Sequence, residues 1–235
     1  MSLKKIFFKS KITYKIYLIY NLYIRHKCFL KRAHYSQWGE DLIIADFFKE
    51  KTKGTYLDVG CFHPFMYSNT CLLFQKGWRG INIDINSTSI DLFNIVRPND
   101  LNLCTTINEN KKDFKVYFDH SFSPINTLSK EYFENFKNKF FKENFIKNIK
   151  SKSIDEILNL AKLKNIDFVN IDVEGMDFEI IKQMIPNKIQ PLLISIETHN
   201  VNGSKSQDCD NINNFLNNFG YKTLKRVGPT TIFKY

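Results

Sequence analysis

The chain has 235 residues, 43% of them hydrophobic, which suffices for the core of one domain and excludes a globally disordered protein. Its net charge of +10 is uneven, because residues 1–39 hold nine Lys or Arg and no acidic residue, whereas basic and acidic residues nearly balance over the rest. The five cysteines are an odd number without a Cys-x-x-Cys pair, which disfavours a disulfide framework or a structural zinc site and favours the cytoplasm.

Residues 1–34 are predicted to form a basic amphipathic helical segment. Residues 4–32 contain no Gly or Pro, and apolar residues recur there at three- and four-residue steps: Phe8, Ile12, Ile16, Ile19 and Tyr23. The longest apolar run has five residues, far short of the roughly 20 that span a bilayer. We interpret the segment either as a contact with an acidic partner, such as the inner membrane face, or as a docked helix with solvated charges. We expect cofactor binding not to depend on it.

Residues 35–235 are predicted to form one α/β domain. Helical patterns cover residues 40–50, 68–76, 87–95, 129–150, 153–163, 178–184 and 211–219. Strand patterns cover residues 55–60, 81–84, 101–107, 115–118, 166–172 and 192–197, and a hairpin covers 221–227 and 230–235. This alternation predicts a mostly parallel seven-stranded sheet with a C-terminal antiparallel hairpin. The polar and aromatic segment 119–150 is interpreted as a substrate lid, or as a helix packed permanently on the domain.

Polar residues end the first two predicted strands, where open α/β sheets bind their ligands. Gly60, two residues after Asp58, permits a sharp turn and a close approach to a ligand. Asp84, which ends the second strand, can accept hydrogen bonds from both hydroxyls of a ribose. Residues 62–64 are Phe, His and Pro where glycines would cradle a pyrophosphate, which disfavours a dinucleotide. Each feature alone also fits a structural turn or a helix start, so the pair is the more specific signal.

Two later strands also end in polar residues. Asp172 and Glu174 follow a buried strand, where carboxylates are costly unless they bind a ligand amine, a metal ion or a substrate hydroxyl. The alternative is that Asp177 caps the next helix and the other acids are incidental. Glu197 ends the strand predicted at 192–197, and His199 lies just beyond it.

The sequence resembles the FkbM-type methyltransferases over residues 35 to about 200. The matching segments are YSQWGEDLII (35–44), YLDVGCFHPFMYSNT (56–70), GWRGINIDIN (77–86), RPNDLNL (97–103), SIDEIL (153–158) and IDFVNIDVEGMDFEII (166–181). The resemblance implies a Rossmann-like class I methyltransferase fold, S-adenosylmethionine (SAM) as methyl donor, and O-methylation, often of sugars in surface polysaccharides or of secondary metabolites.

The resemblance also implies roles for individual residues. It assigns Asp58 and Gly60 to the SAM loop, Asp84 to the ribose and Asp172 to the methionine end of SAM. It places four further residues near the cofactor: Gln37, Glu40, Ser68 and Asn69. Residues 61–64 depart from the more usual glycine-containing loop, so contacts within that stretch are not carried over.

We therefore expect a cytoplasmic, SAM-dependent O-methyltransferase that acts on a small, sugar- or nucleotide-linked hydroxyl. His199 is the first choice for the base that takes the hydroxyl proton, because an unperturbed histidine titrates near neutral pH, and Glu174 and His63 are the alternatives. In a second mechanism Mg²⁺ lowers the pKa of the hydroxyl. The ligands of that ion would be Asp172, Glu197, His199 and Asn200.

Other function classes remain alternatives at this stage. They are methyl transfer to a phosphoryl-type oxygen of an anionic acceptor, an RNA methyltransferase, and a SAM-fold scaffold without activity. The basic N-terminus prompts the RNA alternative. The nearly neutral domain and the lack of a recognised RNA-binding module disfavour it, so we expect no specific nucleic-acid partner.

Overall fold

The computed structural model describes residues 10–118, 126–127, 145–173, 175–186 and 188–235. Within these residues the strands are β1 (Thr55–Val59), β2 (Arg79–Asp84), β3 (Leu101–Cys104), β4 (Thr106–Ile107), β5 (Asp113–Phe118), β6 (Asn126–Thr127), β7 (Phe145–Lys152), β8 (Phe168–Ile171), β9 (Leu193–Glu197), β10 (Lys222–Val227) and β11 (Thr230–Lys234). The α-helices are α1 (Lys11–Tyr20), α2 (Glu40–Phe47), α3 (Cys71–Gln75), α4 (Ser87–Val96), α5 (Ile154–Ala161), α6 (Asp177–Met184) and α7 (Cys209–Asn218).

Seven strands form the main sheet in the order β10-β11-β9-β8-β1-β2-β3. β1, β2, β3, β8 and β9 are parallel neighbours, and β11 runs antiparallel to both β9 and β10. The predicted sheet and its C-terminal hairpin are therefore confirmed. The chain builds outward from β1 in one direction and then returns to its other side at β8, so the switch point lies between β1 and β8.

The central strands of the sheet are buried on both faces, which explains their nearly continuous apolar composition. Successive side chains of a strand point to opposite faces. Leu57 and Val59 accordingly belong to the larger core cluster, with α5, α6 and α7. Tyr56 belongs to the cluster on the other face, with α2, α3 and Trp78. Asp58 is buried as well, and its place in the alternation directs it to the same face as Tyr56.

A smaller sheet, β4-β7-β5-β6, stands beside the main one. The strand predicted at 101–107 is two strands, one in each sheet, interrupted at Thr105, whose N–H donates to the Asp84 carbonyl. The helix predicted over 129–150 is wrong over its last residues, because β7 pairs there with β5. In that part exposed Asn148 and Lys150 alternate with buried Ile149, a period that suits a strand. Residues 119–125 and 128–144 of the proposed lid lie outside the described residues.

The N-terminal helix packs on the domain. Tyr17, Leu18 and Leu22 are buried with Leu92 of α4, and the Tyr14 hydroxyl donates to Asp91 at 2.7 Å. A π-helical turn (Asn21–Arg25) and a 3-10 turn (Lys27–Phe29) follow α1. Removing residues 1–34 would uncover this packed surface, so we expect the truncation to affect the fold as well as any partner. Among the described residues, no helix has the length and apolar composition needed to cross a membrane.

Candidate functional site

The ends of β1, β2 and β8 are held together at the switch point. Gly60 has a φ of +84°, and its N–H and that of Cys61 donate to the Ile83 carbonyl at 2.9 and 3.1 Å. The Asp172 N–H donates to the Val59 carbonyl at 2.9 Å. A Cβ at Gly60 would lie 1.7 Å from the carbonyl oxygen of Asp172, so only glycine fits. The turn after β1 thus approaches the ends of both neighbouring strands.

Asp84 ends β2 with an oriented carboxylate. Its Oδ2 accepts from the Phe62 N–H at 2.8 Å, and its Oδ1 accepts from the Asn86 N–H at 2.7 Å. Burial raises its pKa to about 6, although these two backbone donors act in the opposite direction. Each carboxylate oxygen can accept a further hydrogen bond. The arrangement therefore suits a ligand with two neighbouring hydroxyls.

Asp58 points into the protein. Its Oδ2 accepts from the Thr70 hydroxyl at 2.7 Å, and its Oδ1 accepts from the Asn170 amide at 2.9 Å. The Asn170 Oδ1 accepts in turn from Asn69 Nδ2 at 2.9 Å. Burial raises the pKa of Asp58, and its two hydrogen bonds oppose that shift. Asp58 therefore orients the amides of Asn170 and Asn69, and any contribution to cofactor binding would pass through them.

The amide oxygen of Asn69 is a candidate ligand contact. Asn69 Oδ1 is buried and has no hydrogen-bond partner among the described residues, while Asn69 Nδ2 is held by Asn170. An unpaired buried acceptor is costly, about 1–3 kcal/mol, unless a donor reaches it. A ligand ammonium or hydroxyl would supply that donor.

Arg97 begins the RPNDLNL segment, whose sequence predicts no role for it, and it lies fully buried under the loop that follows β1. Its guanidinium donates to the Pro64 carbonyl at 2.7 Å, the Ser68 hydroxyl at 3.1 Å, the Thr70 hydroxyl at 2.9 Å and the Tyr56 hydroxyl at 3.2 Å. Ser68, predicted to lie near the cofactor, therefore uses its hydroxyl to hold this loop. An arginine before a proline at the end of a helix gives no sequence signal of burial.

Side chains within residues 35–41 hold that stretch in shape. The Asp41 carboxylate accepts from the Tyr35 N–H and the Ser36 hydroxyl, each at 2.6 Å. Glu40 is 3% exposed, and its Oε2 accepts from the Trp38 N–H at 2.8 Å. Glu40 therefore holds the loop, whereas Gln37 on the same loop is exposed.

This loop lies against the C-terminal hairpin. The Thr230 hydroxyl donates to Glu40 Oε1 at 3.4 Å. A Cβ at Gly228 would lie 2.7 Å from the ring of Trp38, so the indole lies directly on the β10–β11 turn. The backbone N–H groups of Thr198 and His199 donate to the Pro229 carbonyl of the same turn, each at 3.1 Å. The loop is thereby placed beside the end of β9.

His199 follows β9 as a half-buried side chain. Its Nδ1 is 2.8 Å from the Thr198 hydroxyl oxygen. Burial lowers its pKa below the ordinary 6.5, and the nearby cations Arg226 and Lys205 lower it further. The ring is therefore neutral at pH 7 and able to accept a proton.

His63 is fully buried in the loop after β1. Its Nδ1 accepts from the Phe65 and Met66 N–H groups at 3.1 and 3.0 Å, which assigns the proton of the neutral ring to Nε2. Burial lowers its pKa to about 3, and its ring centroid is 5.3 Å from that of His26. This environment suits a residue that shapes the loop better than one that takes a proton from an acceptor.

The acidic cluster after β8 is only partly described. Asp172 is exposed at the strand end, and Glu174 lies outside the described residues. The Asp177 carboxylate accepts from the Val173 and Gly175 N–H groups, each at 3.3 Å, so it caps this turn. Over the described part of the chain, no group of three or more His, Cys, Asp or Glu could hold a metal ion, which leaves the magnesium alternative without support there.

Comparison with known proteins identifies one family. The sequence model described as "Methyltransferase FkbM domain" matches residues 58–223, which is more than half of the chain. The matched region begins at Asp58 and ends in β10, so it contains the β1 turn, Asp84, Asp172 and His199. No curated protein matches the chain.

Proposed function

The chain belongs to the FkbM methyltransferase family, and from this we propose that it transfers a methyl group from SAM to a hydroxyl of a small acceptor. The observation that carries the proposal is the geometry at the switch point. There the Asp84 carboxylate, held by two backbone N–H groups, lies next to a turn that only Gly60 can make.

The residues at the sheet edge fit SAM. Asp84 would accept from the two ribose hydroxyls. Gly60 keeps the β1 turn against the end of β8, because a Cβ there would meet the Asp172 carbonyl oxygen. Asn69 Oδ1, a buried acceptor that no described residue pairs with, would accept from the ammonium of the methionine moiety. Asp172 is exposed at the end of β8 and would add negative charge on the same side.

The protein has two chemical tasks in such a transfer. SAM supplies a methyl group on a cationic sulfur, which is already an activated leaving group. The chain must align the acceptor oxygen for in-line attack and remove its proton. We assign the removal of this proton to His199, because its lowered pKa keeps the ring neutral and the Thr198 hydroxyl engages its Nδ1.

We propose a sugar- or nucleotide-linked acceptor from polysaccharide or secondary-metabolite biosynthesis, methylated in the cytoplasm. Trp38 supports a sugar, because it is 47% exposed on the loop beside the end of β9. Its indole offers a flat apolar face with a polar edge, as sugar rings require.

Titration calorimetry with SAM and with NAD tests the cofactor. We expect binding of SAM and of S-adenosylhomocysteine and none of NAD. Incubation with SAM and a panel of nucleotide-linked and phosphorylated sugars then tests the acceptor, with S-adenosylhomocysteine release as the readout. The methylated atom of the product separates hydroxyl from phosphoryl transfer. Absence of SAM binding would disprove the proposal.

Asp84→Asn is expected to weaken SAM binding by about 1–3 kcal/mol, the scale of hydrogen bonds to a charged group. In the ligand-free protein the variant should also lose a pH dependence of stability. Burial raises the carboxyl pKa of Asp84 from the ordinary 3.8 to about 6, so the wild type loses stability as pH rises between these values, whereas the amide of Asn does not titrate. Calorimetry and thermal unfolding of the same samples measure both. Unchanged SAM affinity would refute the ribose assignment.

SAM affinity of the wild type should also depend on pH. Only the ionised Asp84 can accept from both ribose hydroxyls, so affinity should be constant well above pH 6 and fall as pH is lowered through about 6. Calorimetry over this range measures the effect. The Asp84→Asn variant has no such group and should show a flat profile, whereas a flat wild-type profile would contradict the assignment.

A further inference from the structure

The outer face of α1 and of the turn after it is apolar and exposed. Six large side chains are 43–74% exposed there: Ile12, Ile16, Ile19, Tyr20, Tyr23 and Ile24. Their spacing of three and four residues places them on one side of the helix. We call this set the outer apolar stripe.

The opposite side of the same helix already has a partner. Leu92 of α4 packs against Tyr14, Tyr17, Leu18 and Leu22. These four residues also recur at steps of three and four, but they are offset by two positions from the outer apolar stripe and so lie on the opposite side of the helix. The helix therefore has two apolar faces, and folding of the domain buries only one of them. Docking on the domain explains the inner face and leaves the outer one unexplained.

The segment that carries the outer apolar stripe is basic. Lys11, Lys15, Arg25 and Lys27 are exposed on and just after α1, and residues 1–39 contain no acidic residue. This composition complements an anionic surface that is apolar underneath. A protein partner whose surface carries both acidic and basic residues would not require a segment without acidic residues.

We propose that the outer apolar stripe and its flanking cations bind the surface of an anionic lipid bilayer. The isoleucines and tyrosines lie in the headgroup boundary, and the lysines and arginines contact lipid phosphates. The helix lies in the plane of the interface, as basic amphipathic helices do.

This contact would bring the bilayer near the candidate site. The inner face of α1 packs with Phe62 and Phe65 of the loop after β1, and Phe29 of the 3-10 turn makes an edge contact with Tyr67 of that loop at 5.8 Å between centroids. The same loop carries the Phe62 N–H that orients Asp84. In a membrane-bound protein the loop after β1 would therefore lie close to the lipid surface.

Vesicle sedimentation of the full chain tests the proposal. We expect binding to phosphatidylcholine vesicles that contain phosphatidylglycerol, little binding to pure phosphatidylcholine, and weakening by salt. The triple variant Ile12→Ser, Ile16→Ser, Ile19→Ser removes side chains that are 74, 53 and 43% exposed and should bind at least about tenfold more weakly. Each of Lys11→Gln and Lys15→Gln should weaken binding about fivefold.

A matched control comes from three apolar residues on other surfaces. Leu160, Leu192 and Val201 are 51, 43 and 73% exposed, and their replacement by Ser should leave vesicle binding unchanged. All variants should keep the wild-type melting temperature. Wild-type protein that ignores anionic vesicles, or an isoleucine variant that binds like the control, would overturn the proposal. So would light scattering that shows a dimer dissociated by the isoleucine variant, because the stripe would then join two copies of the chain.

Discussion

Replacement of Arg97 by methionine is expected to lower the free energy of unfolding by about 3–5 kcal/mol, the scale for breaking a buried charge pair by removing one partner. The guanidinium is completely buried, and the carboxylates of Asp58 and Asp100 belong to the same hydrogen-bonded cluster. Thr70 connects Arg97 to Asp58, and Tyr56 connects it to Asp100. Methionine would fill much of the volume but leave both acids without a counter-charge.

Arg97→Lys should have a smaller effect, because it keeps the charge. An ammonium group does not reproduce the planar fork that now serves the Pro64 carbonyl and three hydroxyls, so the loop after β1 would lose part of its support. We expect this variant to fold and to bind SAM more weakly than the wild type. Urea unfolding and calorimetry measure the two effects.

Arg79 provides a matched control for Arg97. Both guanidinium groups lie over the ring of Phe74, at 5.0 Å for Arg79 and 4.9 Å for Arg97. Arg79 is exposed, so Arg79→Met should change the free energy of unfolding by about 0.5 kcal/mol or less. Equal destabilisation by the two methionine variants would contradict the role of Arg97 as the counter-charge of this cluster.

The main sheet could be predicted because its central strands are buried on both faces and their apolar runs end in turn residues. β1, β8 and β9 follow this pattern. The terminal hairpin does not, because β10 is mostly exposed, and the turn residues Gly228 and Pro229 predict it instead. β7 could not be predicted, because its charged and aromatic sequence also fits a helical period. Pairing with β5, which is distant in sequence, decides its structure.

The location of a candidate site residue could be predicted from the sequence only where it depends on backbone position alone. Gly60 and Asp84 are at strand ends, and strand ends determine where they lie. The resemblance predicts Asp58, Glu40 and Ser68 near the cofactor, and what it does not predict is that their polar atoms hold other parts of the fold. Whether a polar side chain near a site faces the ligand or the core depends on contacts from distant segments, such as Arg97, that a single sequence does not reveal.

His199→Ala is expected to lower kcat by roughly 10²–10⁴-fold, the range for loss of a positioned base, with SAM affinity unchanged. His199 lies at the end of β9, and its Nδ1 is engaged by Thr198. In the part of the chain that the structure describes, its hydrogen bonds hold neither the β1 turn nor Asp84. Stopped assays of S-adenosylhomocysteine release, with the acceptor that the sugar panel identifies, measure kcat. Calorimetry measures SAM binding in parallel.

The pH profile distinguishes a base from a residue that only supports the site. A base acts when deprotonated, so wild-type kcat should fall as pH is lowered through a pKa below 6.5. We call this fall the acid limb, and the residual activity of His199→Ala should lack it. Arg226→Gln removes a cation that depresses the pKa, and it should move the limb to higher pH while the plateau stays unchanged. Because Arg226 is exposed, this variant should fold normally. An acid limb that does not move, or a His199→Ala enzyme with full kcat, would contradict the assignment of the base to His199. The role would then pass to Glu174, because His63 is too deeply buried to reach an acceptor. Glu174→Gln would test that alternative.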